Sequence, residues 1–203
     1  MNHFALAAAA TAIVIGVGAA QLTATSANAP KAISDAANPM IDGQAMPAGL
    51  DLADNITVSP EHTVLTVYLK ETDRDQALKQ KGPLTLFAPT DKAFMTAGNL
   101  GSRADLTRLV DYHLVRGKFD YKALLALIGQ AGGRAKLTTV SGGTLVASLN
   151  GARNIQLMDE NGGTANIAIY DIYSRNGVLQ VIDRVMKPTG FDNRRPVLTS
   201  QAQ

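Results

Sequence analysis

AKLTTVSGGTLVASLNGARNIQLMDENGGTANIAIYDIYSRNGVLQVIDRV, running from Ala135 to Val185, alternates apolar and polar residues in five segments separated by glycine-bearing turns. The segments are Ala135 to Val140, Thr144 to Leu149, Asn154 to Leu157, Thr164 to Tyr173 and Val178 to Val185. Between them lie Ser141-Gly142-Gly143, Asn150-Gly151, Asn161-Gly162-Gly163 and Asn176-Gly177, pairs and triplets that favour the positive φ of tight hairpins. A period of 2 places one side chain in two on the same face of a sheet. The stretch therefore predicts an antiparallel meander. Asp159-Glu160-Asn161-Gly162-Gly163 has the look of a calcium loop opening, but Tyr170 stands where such a loop needs a bidentate glutamate, so the segment is read as a hairpin turn.

Upstream of Gly133 the period is helical. Ser59-Pro60-Glu61-His62 reads as a helix start, with Ser59 as N-cap and Pro60 in the first turn; Val64, Leu65, Tyr68, Leu69 and Leu78 form the apolar stripe and Lys70 to Asp75 a solvated stretch. Gly82-Pro83 ends it, and Leu84 to Phe87 is a short buried strand. Thr90 then caps a helix packed by Ala93 and Phe94, and a third helix spans Ser102 to Tyr112 on Leu106, Leu109 and Val110. A fourth runs from Asp120 through Leu124, Leu125 and Ile128 to Gly129, read as its left-handed stop. Helices first and strands second give an α+β class, with the helices gathered on one side of the sheet system.

At the N-terminus, Met1 to Pro30 contain no Lys, Arg, Asp or Glu, and Phe4 to Ala20 is an apolar, Ala-rich run followed by QLTATSANA. This pattern predicts an export signal, residues 1–29, with cleavage after Ala27 or Ala29; retention as an anchor is the alternative, although the run is short for about 30 Å of hydrocarbon. Residues 30–54, with Pro30, Pro39, Pro47, Gly43 and Gly49 and no sustained period, read as a linker or irregular lead-in. The folded domain is expected over 55–188, followed by a C-terminal tail at 189–203.

Composition narrows the chemistry. Nineteen Lys and Arg against 17 Asp and Glu leave a formal charge of +2, too small to create a general field for nucleic acid. The absence of cysteine removes disulfides, thiolate metal sites, iron-sulfur ligation and thiol catalysis. His62 and His113 stand far apart without metal-ligand spacing, and no nucleophile elbow or phosphate-cradling loop is present. No cofactor and no enzymatic activity are expected. Asn55-Ile56-Thr57 matches a glycosylation sequon.

Three separated segments carry a resemblance. Thr85 to Phe94 (TLFAPTDKAF), the pair Tyr112-His113, and Asn176 to Pro188 (NGVLQVIDRVMKP) resemble, in order and spacing, the hallmark segments of the fasciclin (FAS1) domain family. Gly133 to Gly143 and Asn161 to Asp171 also resemble stretches of its bacterial single-domain secreted members. The resemblance implies a wedge-like β-sandwich with helices packed at one side, and covers roughly Asn55 to Pro188. It singles out Thr85, Phe87, Asp91, Phe94, Tyr112, His113, Asn176, Gln180 and Asp183 as motif or interaction residues. Most of these have a physical reading as core, cap or polar anchor. Gln180 stands where the family usually has histidine and cannot become cationic, so a pH-dependent role of that histidine is not carried over. Lys70 to Asp75 likewise stands where an apolar helix end is common.

From the resemblance and the N-terminal run, the expected function is that of an exported, non-enzymatic module, periplasmic or extracellular, which mediates cell-surface adhesion or interaction with a protein or glycan. A carrier of a small lipophilic ligand is the alternative, with Leu124, Leu125 and Ile128 as candidate lining. Membrane contact is expected only through the N-terminal segment if it is retained.

Overall fold

The computed structural model describes residues 38–80 and 82–191. The expected signal at 1–29 and most of the expected tail lie outside them. The helices are α1 (Leu52–Val58), α2 (Thr63–Glu71), α3 (Arg74–Leu78), α4 (Asp91–Thr96), α5 (Arg103–Tyr112) and α6 (Tyr121–Gln130). The strands are β1 (Leu84–Pro89), β2 (Leu114–Arg116), β3 (Arg134–Thr138), β4 (Thr144–Asn150), β5 (Asn154–Met158), β6 (Thr164–Ser174) and β7 (Gly177–Ile182).

Strands β3 to β7 form the expected antiparallel meander, and β1 extends it through a pairing that local pattern does not announce. β1 lies parallel to β7, Leu84 opposite Gly177 through Pro89 opposite Ile182, and β2 lies antiparallel on its far side. A bridge between Val115 and Thr139 links the two ends of the seven-strand order, bringing the sheet close to closure. β6 serves both halves, and its pairing with β7 shifts register between Ile167 and Ile172. Such irregularities bend a strand and let one sheet turn into the next.

Burial follows from this topology. β3, β4 and β5 bury alternate residues, as one-faced strands must, whereas β1 and β7 are buried throughout. Leu86, Ala88, Leu179 and Val181 face a layer built by α1 to α5. Phe87 and Ile182 face the other way, into a core shared with Tyr112, Leu124, Ile128, Leu145 and Leu157. The two central strands are sandwiched between these cores, which is why they carry no polar-outward alternation.

Several local expectations are corrected. Ser59 does not start a helix. It follows the last residue of α1, its N–H reaching the Ile56 carbonyl, and α2 begins only at Thr63. The cap of α2 comes from elsewhere in the chain: the Asp91 carboxylate accepts from the N–H groups of Thr63 (3.1 Å) and Val64 (2.9 Å). Leu78 belongs to a separate helix, α3, entered through Asp73 at φ +57°. α6 continues past Gly129 to Gln130, and the left-handed stop is Gly132, followed by Gly133, whose N–H bonds the Ile128 carbonyl at 2.8 Å. Thr90 caps α4 as expected, and Ser102 and Asp120, read as the first residues of their helices, stand one position before them as N-caps, Ser102 in a capping box with Asp105.

The stretch 38–50 is irregular but packed. Ile41, Met46 and Ala48 are buried, and Asn38 bonds the Met46 carbonyl while exchanging hydrogen bonds with the Tyr173 backbone at 2.8 and 2.9 Å. Of the two readings, linker or irregular lead-in, the described part is a lead-in, packed on the helical core. Asn55 of the sequon is fully buried, its amide donating to Pro47 O and Ser174 Oγ, which leaves no room for a glycan in the folded chain.

Candidate interaction surface

The hallmark side chains divide by where they point. Thr85 is fully buried; its hydroxyl donates to Gly117 O (2.7 Å) and accepts from Phe119 N–H (2.8 Å), pinning the link between β2 and α6. Phe87 fills the core, and Phe94 meets Tyr68 edge-on at 5.4 Å. The Tyr112 hydroxyl donates to Thr144 O (2.8 Å) and accepts from Glu160 N–H (3.2 Å), and burial pushes its phenol well above the ordinary value. His113 is held at both ring nitrogens. Nδ1 donates to Leu109 O (2.8 Å) and Nε2 accepts from Met186 N–H (3.0 Å), which fixes the neutral tautomer; burial lowers its pKa from 6.5 to about 4.

In the second hallmark segment, Asn176 joins three elements. Its side-chain oxygen accepts from Leu52 N–H at 3.0 Å, and its amide donates to Leu78 O and Gln80 O. Gln180, fully buried, donates to Phe119 O (3.0 Å) and Asp171 Oδ1 (2.9 Å) and accepts from Asp171 N–H (3.1 Å). Three bonds to fixed partners use an amide in a way that an imidazole with two ring nitrogens cannot reproduce. Asp171, which sequence reasoning did not single out, sits at φ +61° and also accepts from Tyr121 N–H at 2.7 Å. Asn176→Ala is expected to lower the unfolding free energy by about 2–3 kcal/mol, since Leu52 N–H and two carbonyls lose their partner. Urea titration of wild type and variant measures it, and an unchanged midpoint would contradict the anchoring role.

The outward sides of the two segments meet. Asp91, Lys92 and Thr96 of α4 and Asp183 and Arg184 after β7 line a groove of about 660 Å³, with Glu61 at its edge. A second depression of about 290 Å³ shares Thr96 and Arg184 and continues toward Lys187. Lys92 and Arg184 are exposed. Asp183 is exposed as well, and its carboxylate accepts from the Asn166 backbone N–H (2.7 Å) and side-chain amide (2.9 Å), so it stands in a fixed orientation. At the end of α4, Met95 is 85% exposed. Of the nine residues singled out from sequence, Asp91 and Asp183 reach this groove and the other seven do not line it. Lys92 and Arg184 were missed, although both lie inside the hallmark segments, because exposed charge carries no local pattern.

One serine and one histidine do come together: Ser59 Oγ lies 2.6 Å from His62 Nδ1. Both are buried, and burial lowers the His62 pKa from 6.5 to about 4, against weaker opposing effects of the Ala88 backbone and Asp91. A hydroxyl and imidazole buried in the connection between α1 and α2 cannot meet a substrate, so the pair is structural. Asp159 is a turn residue, as expected, accepting from Asn161 and Gly163 N–H at 3.0 and 2.7 Å.

A family model of the fasciclin domain matches residues 60–188. The chain belongs to the fasciclin domain family. Among curated relatives, this fasciclin domain protein is 28% identical over 138 residues to "Uncharacterized protein sll1735" of Synechocystis sp. (strain ATCC 27184 / PCC 6803 / Kazusa), covering 64% of this chain and 93% of that one. It is also 28% identical over 134 residues to "Protein sll1483" of the same organism, covering 62% and 67%. Among solved structures it matches a FAS1 domain pair from the insect cell adhesion molecule fasciclin I with a TM-score of 0.57 at 17% identity. That match covers 67% of this chain and 50% of the pair, so the chain spans half of that two-domain structure. The expected FAS1-like α+β fold is thereby shown. Fasciclin domains typically serve adhesion or protein interaction, are generally non-enzymatic and are commonly extracellular or secreted. No helix among the described residues is long and apolar enough to cross a membrane.

Proposed function

We propose that this fasciclin domain protein is an exported module, periplasmic or extracellular, that mediates adhesion by binding a polypeptide at the cell surface. The observation that carries the reading is the division of labour in the hallmark segments. Their inward residues hold the two cores and the loops together, while their outward residues share one groove containing Glu61, Asp91, Lys92, Asp183 and Arg184. Charges of both signs beside the exposed Met95 suit a peptide surface of mixed character better than a uniformly charged or uniformly apolar ligand. Export is supported by the apolar N-terminal run.

The test is attachment of a deletion strain to surfaces, cells or matrix, complemented by wild type or by Lys92→Glu/Arg184→Glu. Both residues are exposed, so the variant is expected to accumulate normally and fail to restore attachment. Full restoration, or a deletion without effect, contradicts the reading.

A second reading, carriage of a small lipophilic ligand, is favoured by another feature. A groove of about 410 Å³ lies between α6 and β2–β3, lined by Val115, Phe119, Leu127, Leu137 and Val140. Leu124 and Ile128, expected to line such a groove, are instead core residues, and Leu125, expected with them, packs against that core without lining the groove. Native mass spectrometry and an absorbance scan of protein isolated from its own organism decide this reading: a bound, defined small mass supports it, and bare, colourless protein opposes it.

A further inference from the structure

A fourth cavity lies at the opposite end of β1 from the hallmark groove, where α3 ends, β1 begins and β6 turns into β7. Its volume is about 650 Å³, within the about 300–1,000 Å³ of small-molecule sites. Among the described residues its charged lining is Lys79, Lys118 and Arg175, all cationic. In a chain of formal charge +2, three cations around one cavity form a local concentration that the composition conceals. The floor is backbone. A Cβ on Gly82 would lie 1.8 Å from Asn176 O and one on Gly177 2.1 Å from Leu84 O, so these two segments touch without side chains between them.

Two of the three cations are paired with carboxylates, and both pairs leave donors of the cation unused. Arg175, 66% exposed, gives Asp51 a single contact at 3.2 Å out of the five donors of its fork. Lys79 lies 3.4 Å from Asp54 in an exposed pair of the kind that contributes little. Lys118 Nζ sits 4.4 Å above the centre of the Tyr173 ring, which draws its stem across an aromatic face at the cavity's margin.

We propose that this cavity binds an anionic saccharide, a sugar unit bearing carboxylate or sulfate. Carboxylate and sulfate oxygens match the donor fork and ammonium groups of the walls, and the C–H face of a sugar ring packs on the apolar surface of Pro83 and the lysine stems. A concave cavity selects a discrete group. A lipid surface would instead call for exposed large apolar side chains to enter the bilayer boundary, and no lining residue is of that kind. The inference rests on the export reading only for where such a glycan is met; binding itself is a property of the purified chain, so the two fail separately.

The test is isothermal titration of the purified full chain with a heparin-derived tetrasaccharide, with tetragalacturonate and with neutral maltotetraose, at low and at physiological salt. Both Lys118→Gln/Arg175→Gln and Lys79→Gln/Lys118→Gln are titrated, the second because it leaves the buried Asp51 with its partner. Lys92→Gln serves as a charge control outside the cavity. Thermal unfolding confirms that each variant is folded. Saturable binding of at least one acidic sugar, none of maltotetraose, and an about tenfold loss in both double variants but not in Lys92→Gln is the expected result. Absence of binding to both acidic sugars, equal loss in the control, or binding to phosphatidylglycerol vesicles alone would overturn it.

Discussion

Acidification from about pH 7 to about pH 4 is expected to remove about 6 kcal/mol of unfolding free energy, a large share of the about 5–15 kcal/mol that holds a typical domain folded. His62 and His113 are both buried, and their folded-state pKa values lie at about 4 against 6.5. A histidine held neutral in the fold binds fewer protons than its unfolded counterpart below 6.5. Stability is therefore full above that value, falls as pH drops toward 4, and is lost no further by this route below it. Each drop is worth about 3 kcal/mol. Glu160, whose carboxyl is held low mainly by the Thr189 and Thr144 N–H groups, acts only at the acid end of the window. Urea midpoints across the range should decline most steeply between about pH 6 and pH 4.5. His113→Asn should be less stable at neutral pH yet show a shallower decline. A flat profile would mean that the histidines are not buried as neutral rings.

The second large effect is expected at the parallel pairing. Gly177→Ala should cost at least about 3 kcal/mol, because the new Cβ meets Leu84 O at 2.1 Å and Leu52 Cδ1 at 3.0 Å. A side-chain neighbour could rotate aside; a carbonyl of the adjoining strand cannot without parting β1 from β7. Gly151→Ala is the matched comparison. It lies in the β4–β5 turn at φ +77° with nothing within 4 Å of its Cβ, so the change should cost only about 1 kcal/mol of left-handed backbone strain. Thermal unfolding of the two variants measures the contrast. Equal midpoints would show that the close strand approach at Gly177 does not hold in solution.

The meander was legible because a hairpin is local: its period and its Asn-Gly turn lie within a few residues of each other, as at Asn150-Gly151 and Asn176-Gly177. The cap Thr90 was legible for the same reason, as were the starts of α5 and α6 to within one residue of Ser102 and Asp120. The parallel partner of β7 was not, since Leu84–Pro89 is a continuous buried run with nothing to say which strand it joins, and the partners stand about ninety positions apart. The start of α2 was misplaced because Ser59-Pro60 has the composition of a helix start, whereas the carboxylate that caps it arrives from Asp91. Packing of 38–50 escaped notice because irregular backbone has no period, even where Ile41 and Met46 are buried.

The surface was the least legible part. Tyr112, His113, Asn176 and Gln180 stand out in sequence, and all four form internal hydrogen bonds. Lys92 and Arg184, which give the groove its positive charge, are ordinary exposed residues whose proximity exists only after α4 has packed beside the end of β7. The same holds for Lys79, Lys118 and Arg175, which come from three different connections.

The central claim is that contact is made along the groove between α4 and the segment after β7. Hydrogen-deuterium exchange of the purified protein, free and bound to the cell-envelope fraction of its own organism, tests it most directly. The expected result is added protection at residues 90–96 and 183–187, absent when Lys92→Glu/Arg184→Glu is used. Protection confined to residues 115–140, or none on any segment, would contradict it.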